Sequence, residues 1–257
     1  MKIAIIGAGN MGGAIAKGLA QGTIINNNDI TVADPDIEKL KQLQNFASGI
    51  TITTQNQNAV ENADTIILAV KPWLVAQILG QLKIDSKRQV LISIAAGISL
   101  EQLAKIVSPE MTIFRLVPNT AISELASMTL IASLNASKEQ EQQVVDIFNE
   151  MGLAMLIPES QIVATTALTS CGIAYVLKYI HAATEAGVEM GIYPKAAMKM
   201  IAQSVKGAAE LILNNDTHPA IEIDKVTTPG GITIKGLNEL DHAGFSSAII
   251  RAMKASK

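Results

Sequence analysis

The run Lys2-Ile-Ala-Ile-Ile6 leads straight into Gly7-Ala8-Gly9-Asn10-Met11-Gly12 and then into a helix-patterned stretch, and nothing else restricts the fold of this 257-residue chain so tightly. Strand, glycine turn and helix in that order give each glycine its own task. Gly7 permits the tight turn, Gly9 lets the backbone approach a bulky anion, and Gly12 lets the helix pack close to a sheet. The helix start offers free N–H groups and the positive end of its dipole, so a phosphate needs no basic side chain there. The unit predicts a pyrophosphate cradle, with Gly7, Ala8, Gly9, Asn10, Met11 and Gly12 around a dinucleotide.

Asp34 closes the second strand-like run, Ile30–Ala33. A carboxylate there accepts a hydrogen bond from a ribose 2′-hydroxyl and repels a 2′-phosphate, which favours NADH. Asp34 serves equally as N-cap of the helix patterned over Asp36–Gln44, and the residues alone leave both roles open.

Up to Pro158, short β-branched runs alternate with helical segments, the pattern of a parallel sheet covered on both faces. The runs are Ile3–Ile6, Ile30–Ala33, Ile50–Thr53, Thr65–Val70, Val90–Ile94 and Thr112–Leu116, with Met128–Ala132 and Leu153–Ile157 extending the far edge. Ser99 with Gln102 marks a capping box. Residues 1–158 are thus expected to form a Rossmann-like, doubly wound, mostly parallel sheet domain. After Pro158 the strand signals stop, and apolar residues recur every three to four positions through Ile162–Gly191, Lys195–Leu213, Ile234–His242 and Phe245–Lys254. Residues 159–257 are expected to be all-helical. The first of these helices, about 30 residues or roughly 45 Å, is longer than so small a domain can cover, which predicts a partner subunit.

Composition narrows the function class. Hydrophobic residues make up 49 % of the chain but aromatics only 3 %, so no stacking platform for nucleic acid is expected. A net charge of −3, with scattered Lys and Arg, predicts neither a phosphate-backbone footprint nor attraction to an anionic membrane. A single cysteine, Cys171, leaves no intramolecular disulfide and no cysteine-rich metal site, as in a reducing cytoplasm. Met1 opens directly on a strand, without a signal-peptide pattern. The uncharged stretch Ser160–Leu177 approaches membrane-spanning length, but its Ser, Thr and Gln content reads as a buried helix at a subunit interface. The expected partners are a small-molecule substrate and a second copy of the chain.

Further polar and small residues stand at strand ends. Ala69-Val70-Lys71-Pro72, Ala95-Ala96-Gly97 and Pro118-Asn119-Thr120 each follow a strand, where open α/β sheets border their ligand crevice. Lys71 reads equally as a solvated loop lysine. In the helical half, Thr227-Thr228-Pro229-Gly230-Gly231-Ile232-Thr233 runs into a helix. Backbone N–H groups at such a turn hold a carboxylate, with the Thr233 hydroxyl alongside; an ordinary interhelix turn capped by Thr233 fits the same residues.

Taken together, these motifs resemble the pyrroline-5-carboxylate reductases. The resemblance covers nearly the whole chain: residues 7–12, 69–72, 95–97, 118–120, His218-Pro219, Gly244-Phe245 and, most specifically, Thr-Pro-Gly-Gly-Ile-Thr-Ile at 228–234. It implies hydride transfer from NADP(H) or NAD(H) to the C=N bond of 1-pyrroline-5-carboxylate, giving L-proline. By residue, it implies cofactor contacts from Gly7–Gly12, Asp34, Asn56, Ala69, Val70, Lys71 and Pro72, with Ala95, Ala96 and Asn119 near the nicotinamide. Thr228, Pro229, Gly230, Gly231, Ile232 and Thr233 would hold the substrate carboxylate, and the Thr233 hydroxyl would stand near the ring nitrogen as the catalytic group. The C-terminal domain would dimerise, as a homodimer or a ring of dimers.

The crevice motifs contain no obvious His or Lys acid, which suits a protonated imine better than a ketone. His181, His218 and His242 read as structural. The chain departs from the family pattern at Thr169-Ser170-Cys171-Gly172-Ile173-Ala174-Tyr175, at Ala121 and at Ile232, which bears on the shape of the substrate pocket. Two other readings share the cradle. A β-hydroxyacid dehydrogenase, or a reductase of another cyclic imine, has a similar layout, yet Lys178 is the only lysine between Gly152 and Gly191. A non-catalytic NAD(P)H sensor would need no second anion cradle.

Overall fold

The computed structural model describes all residues, Met1–Lys257. Eight strands form one sheet: β1 (Ile3–Ile6), β2 (Ile30–Ala33), β3 (Thr51–Thr53), β4 (Thr65–Leu68), β5 (Val90–Ser93), β6 (Ile113–Val117), β7 (Ser127–Leu134) and β8 (Gly152–Leu156). Their order is β3-β2-β1-β4-β5-β6-β7-β8, parallel throughout except where β7 runs antiparallel to β6. The two far-edge strands expected from sequence both join the sheet, the second through a parallel β7–β8 pairing.

Helices α1 (Asn10–Gln21), α2 (Ile37–Phe46), α3 (Asn56–Val60), α4 (Val75–Gln81), α5 (Leu100–Ile106) and α6 (Lys138–Asn149) cover the sheet. Alternation along β1 shows how both faces are buried. Ile3 and Ile5 enter one core with Ile15 and Leu19 of α1, Leu40 of α2 and Phe148 of α6. Ala4 and Ile6 enter the other with Val60 of α3, Leu79 of α4 and Leu103 of α5. The expected capping box is present: Ser99 Oγ accepts from the Gln102 N–H at 3.1 Å, and Gln102 Oε1 accepts from the Ser99 N–H at 2.8 Å.

Two compact units emerge, Met1–Ser170 and Cys171–Lys257. The break falls beyond Pro158 because α7 (Ile162–Thr166) still packs with the sheet: Ile162 is buried in the second core. Glu159 Oε1, just before it, accepts from the Arg115 guanidinium at 2.9 Å and the Leu100 N–H at 2.8 Å. Helical periodicity marks where strands stop, not where packing against them stops.

The expected long helix is widened into a π turn at Ala167–Cys171 before continuing as α8 (Gly172–Glu189). The hydroxyls of Thr165, Thr166 and Thr169 all donate back to carbonyls in the preceding turn, a bonding pattern that bends helices. The helical stretch Glu159–Glu189 is long and apolar enough to cross a membrane, and 17 % of its most apolar 18-residue window, of mean hydropathy 1.3, is buried within the chain. The second unit continues with α9 (Pro194–Asn215), α10 (Pro219–Lys225), α11 (Ile232–His242) and α12 (Phe245–Ala255), and contains no strand. Within it, the Tyr175 hydroxyl bonds to Ser256 Oγ and the Ala252 carbonyl, tying α8 to the end of α12. His218 caps α10, its Nδ1 accepting from the Ala220 N–H at 3.2 Å.

Candidate functional site

The parallel register sets the ends of β1, β2, β4 and β5 along one edge of the sheet. The Gly7 N–H donates to the Ala33 carbonyl at 2.7 Å, the Ala69 N–H to Ile6 at 2.8 Å, and the Ile94 N–H to Leu68 at 3.1 Å. β1 and β4 are parallel neighbours, but successive strands are added on one side of β1 up to β3 and on the other side from β4 onward, the switch point where open α/β sheets bind ligands. Gly7–Gly12, Asp34, Asn56, Ala69–Pro72, Ala95, Ala96 and Asn119 all follow the carboxyl ends of strands in this sheet. Thr228–Thr233 belong to the helical unit.

The cradle separates two kinds of glycine. Gly7 has φ +102°, and a Cβ there would stand 2.5 Å from the Ala69 carbonyl oxygen, so only glycine closes the β1–α1 turn. At Gly9, by contrast, a Cβ would meet no atom within 4 Å. The fold itself does not need glycine at Gly9; a ligand brought close to the backbone does. Gly9 is also the N-cap of α1 with no side chain capping it, and the first turn has no acid, so its N–H groups remain available to an anion. A dinucleotide pyrophosphate fits this arrangement. A groove of about 770 Å³ opens here, lined by Ala8, Gly9 and Asn10 and by Asp36, Glu38 and Lys39 of the α2 start.

The structure removes one of the two readings of Asp34, that of a helix N-cap. The N-cap of α2 is Asp36, whose Oδ1 accepts from the N–H groups of Glu38 and Lys39 at 3.1 and 3.4 Å. The Lys39 ammonium beside it holds the Asp36 carboxyl below the usual carboxylate range. Asp34 is buried, and its two oxygens accept from the Ala8 N–H at 2.6 Å and the Asp36 N–H at 2.9 Å. One cradle N–H is therefore already bonded to the carboxylate that closes β2. The Pro35-Asp36 sequence carried the signal for the true cap.

Asn119 is also buried, and both ends of its amide are engaged. Oδ1 accepts from the Ala121 N–H at 3.1 Å and Nδ2 donates to the Thr169 carbonyl at 3.1 Å, while its own N–H donates to Ser127 Oγ at 3.1 Å. It thereby braces the β6–β7 connection against the π turn. Lys71 is exposed and Ala95 buried, whereas Ala96 is exposed beside it. Sequence reading missed the Arg115–Glu159 pair, which joins residues 44 positions apart, and also the Ser127–Thr129 hydroxyl pair, which the two-residue spacing along β7 could have signalled.

In the helical unit, Gly230 has φ +73° and Gly231 is the N-cap of α11. No side chain caps this helix, and its first turn contains no acid. Thr233 is its second residue and is exposed, so the expected alternative of Thr233 as the N-cap does not hold. The α11 start therefore presents free N–H groups beside a hydroxyl.

A doubly wound sheet with a glycine cradle at its switch point, followed by an all-helical unit, is the architecture of an NAD(P)H-dependent oxidoreductase. Residues 2–97 match the family model for NADP oxidoreductase, coenzyme F420-dependent, and residues 159–257 match that for pyrroline-5-carboxylate reductase dimerisation. The chain belongs to the pyrroline-5-carboxylate reductase family. It is 37 % identical to pyrroline-5-carboxylate reductase 1 of Dictyostelium discoideum over 99 % of its own length and 48 % of that protein's. It is 36 % identical to the Methanosarcina acetivorans pyrroline-5-carboxylate reductase over 100 % of this chain and 97 % of the relative. The solved structure of Plasmodium falciparum pyrroline carboxylate reductase with NADP bound aligns at a TM-score of 0.86 and 28 % identity, covering 100 % of this chain and 95 % of the other.

Proposed function

We propose that this chain reduces 1-pyrroline-5-carboxylate to L-proline with NAD(P)H. The observation that carries the reading is the pairing, in one polypeptide, of two uncapped and acid-free helix starts: α1 after the glycine cradle and α11 after Gly230-Gly231. Each suits an anion. The first matches a dinucleotide pyrophosphate, and the second the carboxylate of a small cyclic imine.

When bound, the nicotinamide supplies the hydride. The chain's own residues position the two reactants. Gly9–Gly12 hold the pyrophosphate through backbone N–H groups, and Asn56 and Ala69–Pro72 shape the cofactor crevice. Ala95 and Ala96 leave room for the ring, and Asn119 keeps its bracing bonds. N–H groups at Ile232 and Thr233 hold the substrate carboxylate, with Thr228 to Gly231 forming the turn, which the Gly231 N–H closes on the Thr228 carbonyl at 2.9 Å. The Thr233 hydroxyl orients the imine nitrogen. A nitrogen protonated in solution needs no strong acid from the enzyme, so positioning provides most of the rate.

The working domains in this reading are residues 1–158 for the dinucleotide and 159–257 for substrate and subunit contact. Exposed apolar residues on α8 to α12, together with the dimerisation family match, support a homodimer, from which a larger ring could be built. The single cysteine suits a reducing cytoplasm. The test is to mix the purified chain with pyrroline-5-carboxylate and NADH or NADPH and follow nicotinamide absorbance. Loss of absorbance is expected, and none with either cofactor sinks the assignment.

A further inference from the structure

We infer that the carboxylates at the end of β2 make this chain select NADH over NADPH, with Asp34 as the selecting residue. The inference rests on reading Gly7–Gly12 as a nicotinamide-dinucleotide cradle, and it concerns the adenosine ribose rather than the imine.

Three observations converge on it. The first is that Asp34 cannot step aside. Asp34 as a residue is 8 % exposed, and its carboxylate is clasped by two backbone amides, Ala8 on the cradle side and Asp36 on the α2 side, while its own N–H donates to the Thr53 carbonyl at 3.3 Å. Rotating the side chain away from a bulky 2′-substituent would break both amide bonds and leave the buried Ala8 N–H unpaired. A carboxylate has about four acceptor sites, so two remain for ribose hydroxyls.

The second is that the helix start which would otherwise draw a phosphate is already filled. The first free N–H groups of α2 are taken by Asp36 Oδ1, so an anion arriving there meets a carboxylate instead of amides. The third is the distribution of cations. Lys39 pairs with Asp36 at 3.2 Å and Lys41 with Glu38 at 2.9 Å, while Asp34 has no Lys or Arg within 4.0 Å. Lys17, the other cation lining the groove, lies over the Phe46 ring, 5.4 Å from its centroid. A 2′-phosphate would place about two further negative charges beside a buried carboxylate that no Lys or Arg side chain pairs. A 2′-hydroxyl brings only a donor.

The test is equilibrium binding, with no imine present. The full chain is titrated with NADH and, separately, with NADPH, and nicotinamide fluorescence or heat is recorded. NADH is expected to bind at least about tenfold tighter. Asp34→Asn keeps an acceptor for the Ala8 N–H and removes the charge. It is expected to weaken NADH binding, strengthen NADPH binding and narrow the ratio at least about fivefold. Equal or tighter NADPH binding by the unaltered chain overturns the inference, and so does a ratio unchanged in a folded Asp34→Asn variant. If the variant does not fold, the ratio in the unaltered chain decides alone. Selective NADH binding without oxidation by pyrroline-5-carboxylate would overturn the proposed substrate and leave the selection by Asp34 standing.

Discussion

In the sheet unit Phe114 and Phe148 are fully buried, whereas in the helical unit Met190, Tyr193 and Leu213 are 74 %, 85 % and 71 % exposed. The two units draw on the same apolar residue types. The sheet unit places them between a sheet and the helices on its two faces, and both cores close within one chain. The helical unit has Ala197 as its one buried hydrophobic residue. A monomeric surface rarely keeps so much large apolar area in contact with water. The difference teaches that the first unit is organised around its own core, while the second is organised around a surface that something else covers. In the proposed dimer, that cover is the same unit of a second copy.

Four measurements would break or sharpen this contrast. The largest effect is expected at Phe114. Truncation to Ala removes a ring from a closed core, and should cost about 3–5 kcal/mol in denaturant unfolding. A cost below about 1 kcal/mol would mean the sheet core is not close-packed.

Leu177 on α8 provides the opposite case, being 59 % exposed within the chain. Leu177→Asp should barely change the packing of a single chain and weaken self-association about a hundredfold, or roughly 2.7 kcal/mol. Light scattering across a dilution series reads this out. A variant that stays as associated as the unaltered chain would place α8 outside the interface, and an unaltered chain that is monomeric would end the dimer proposal.

Thr233 divides the units by task. Thr233→Ala should lower kcat about tenfold, or about 1.4 kcal/mol, and leave the affinity for NADH unchanged. Equal losses in turnover and cofactor binding would give Thr233 a structural role instead.

The smallest effect is expected at Glu141. The Lys138 ammonium, and after it the Ser133 hydroxyl, hold its carboxyl below the usual carboxylate range. A lowered folded pKa means that the stabilisation is complete above the ordinary glutamate range of the unfolded chain and is lost as pH falls through the folded value. Glu141→Gln should therefore cost less than about 1 kcal/mol at neutral pH, and the cost should vanish in acid. A cost that persists in acid would point to packing rather than charge.

Much of the sheet unit was legible in the sequence because its signals are local. Period-two burial, a glycine turn at a strand end and the Ser99–Gln102 capping box all lie within a few residues of one another. The all-helical character of the second half was legible for the same reason. The candidate site was legible in part: the glycine pattern gave the cradle, and the string at 228–234 gave the family resemblance. The bonds of Asn119 to Thr169 and of Glu159 to Arg115 were not, since each joins residues more than 40 positions apart.

The sequence by itself determined the order of strands and helices, the cradle at Gly7–Gly12 and the presence of an acid at the end of β2, because each depends on neighbours along the chain. Only the tertiary structure decided what that acid does. Pairing of β1 with β2 brings the Ala8 N–H against Asp34, and Asp36 takes the cap that would have occupied it. A carboxylate's role follows from which donors reach it, and donors 26 residues away reach it only once the sheet has formed.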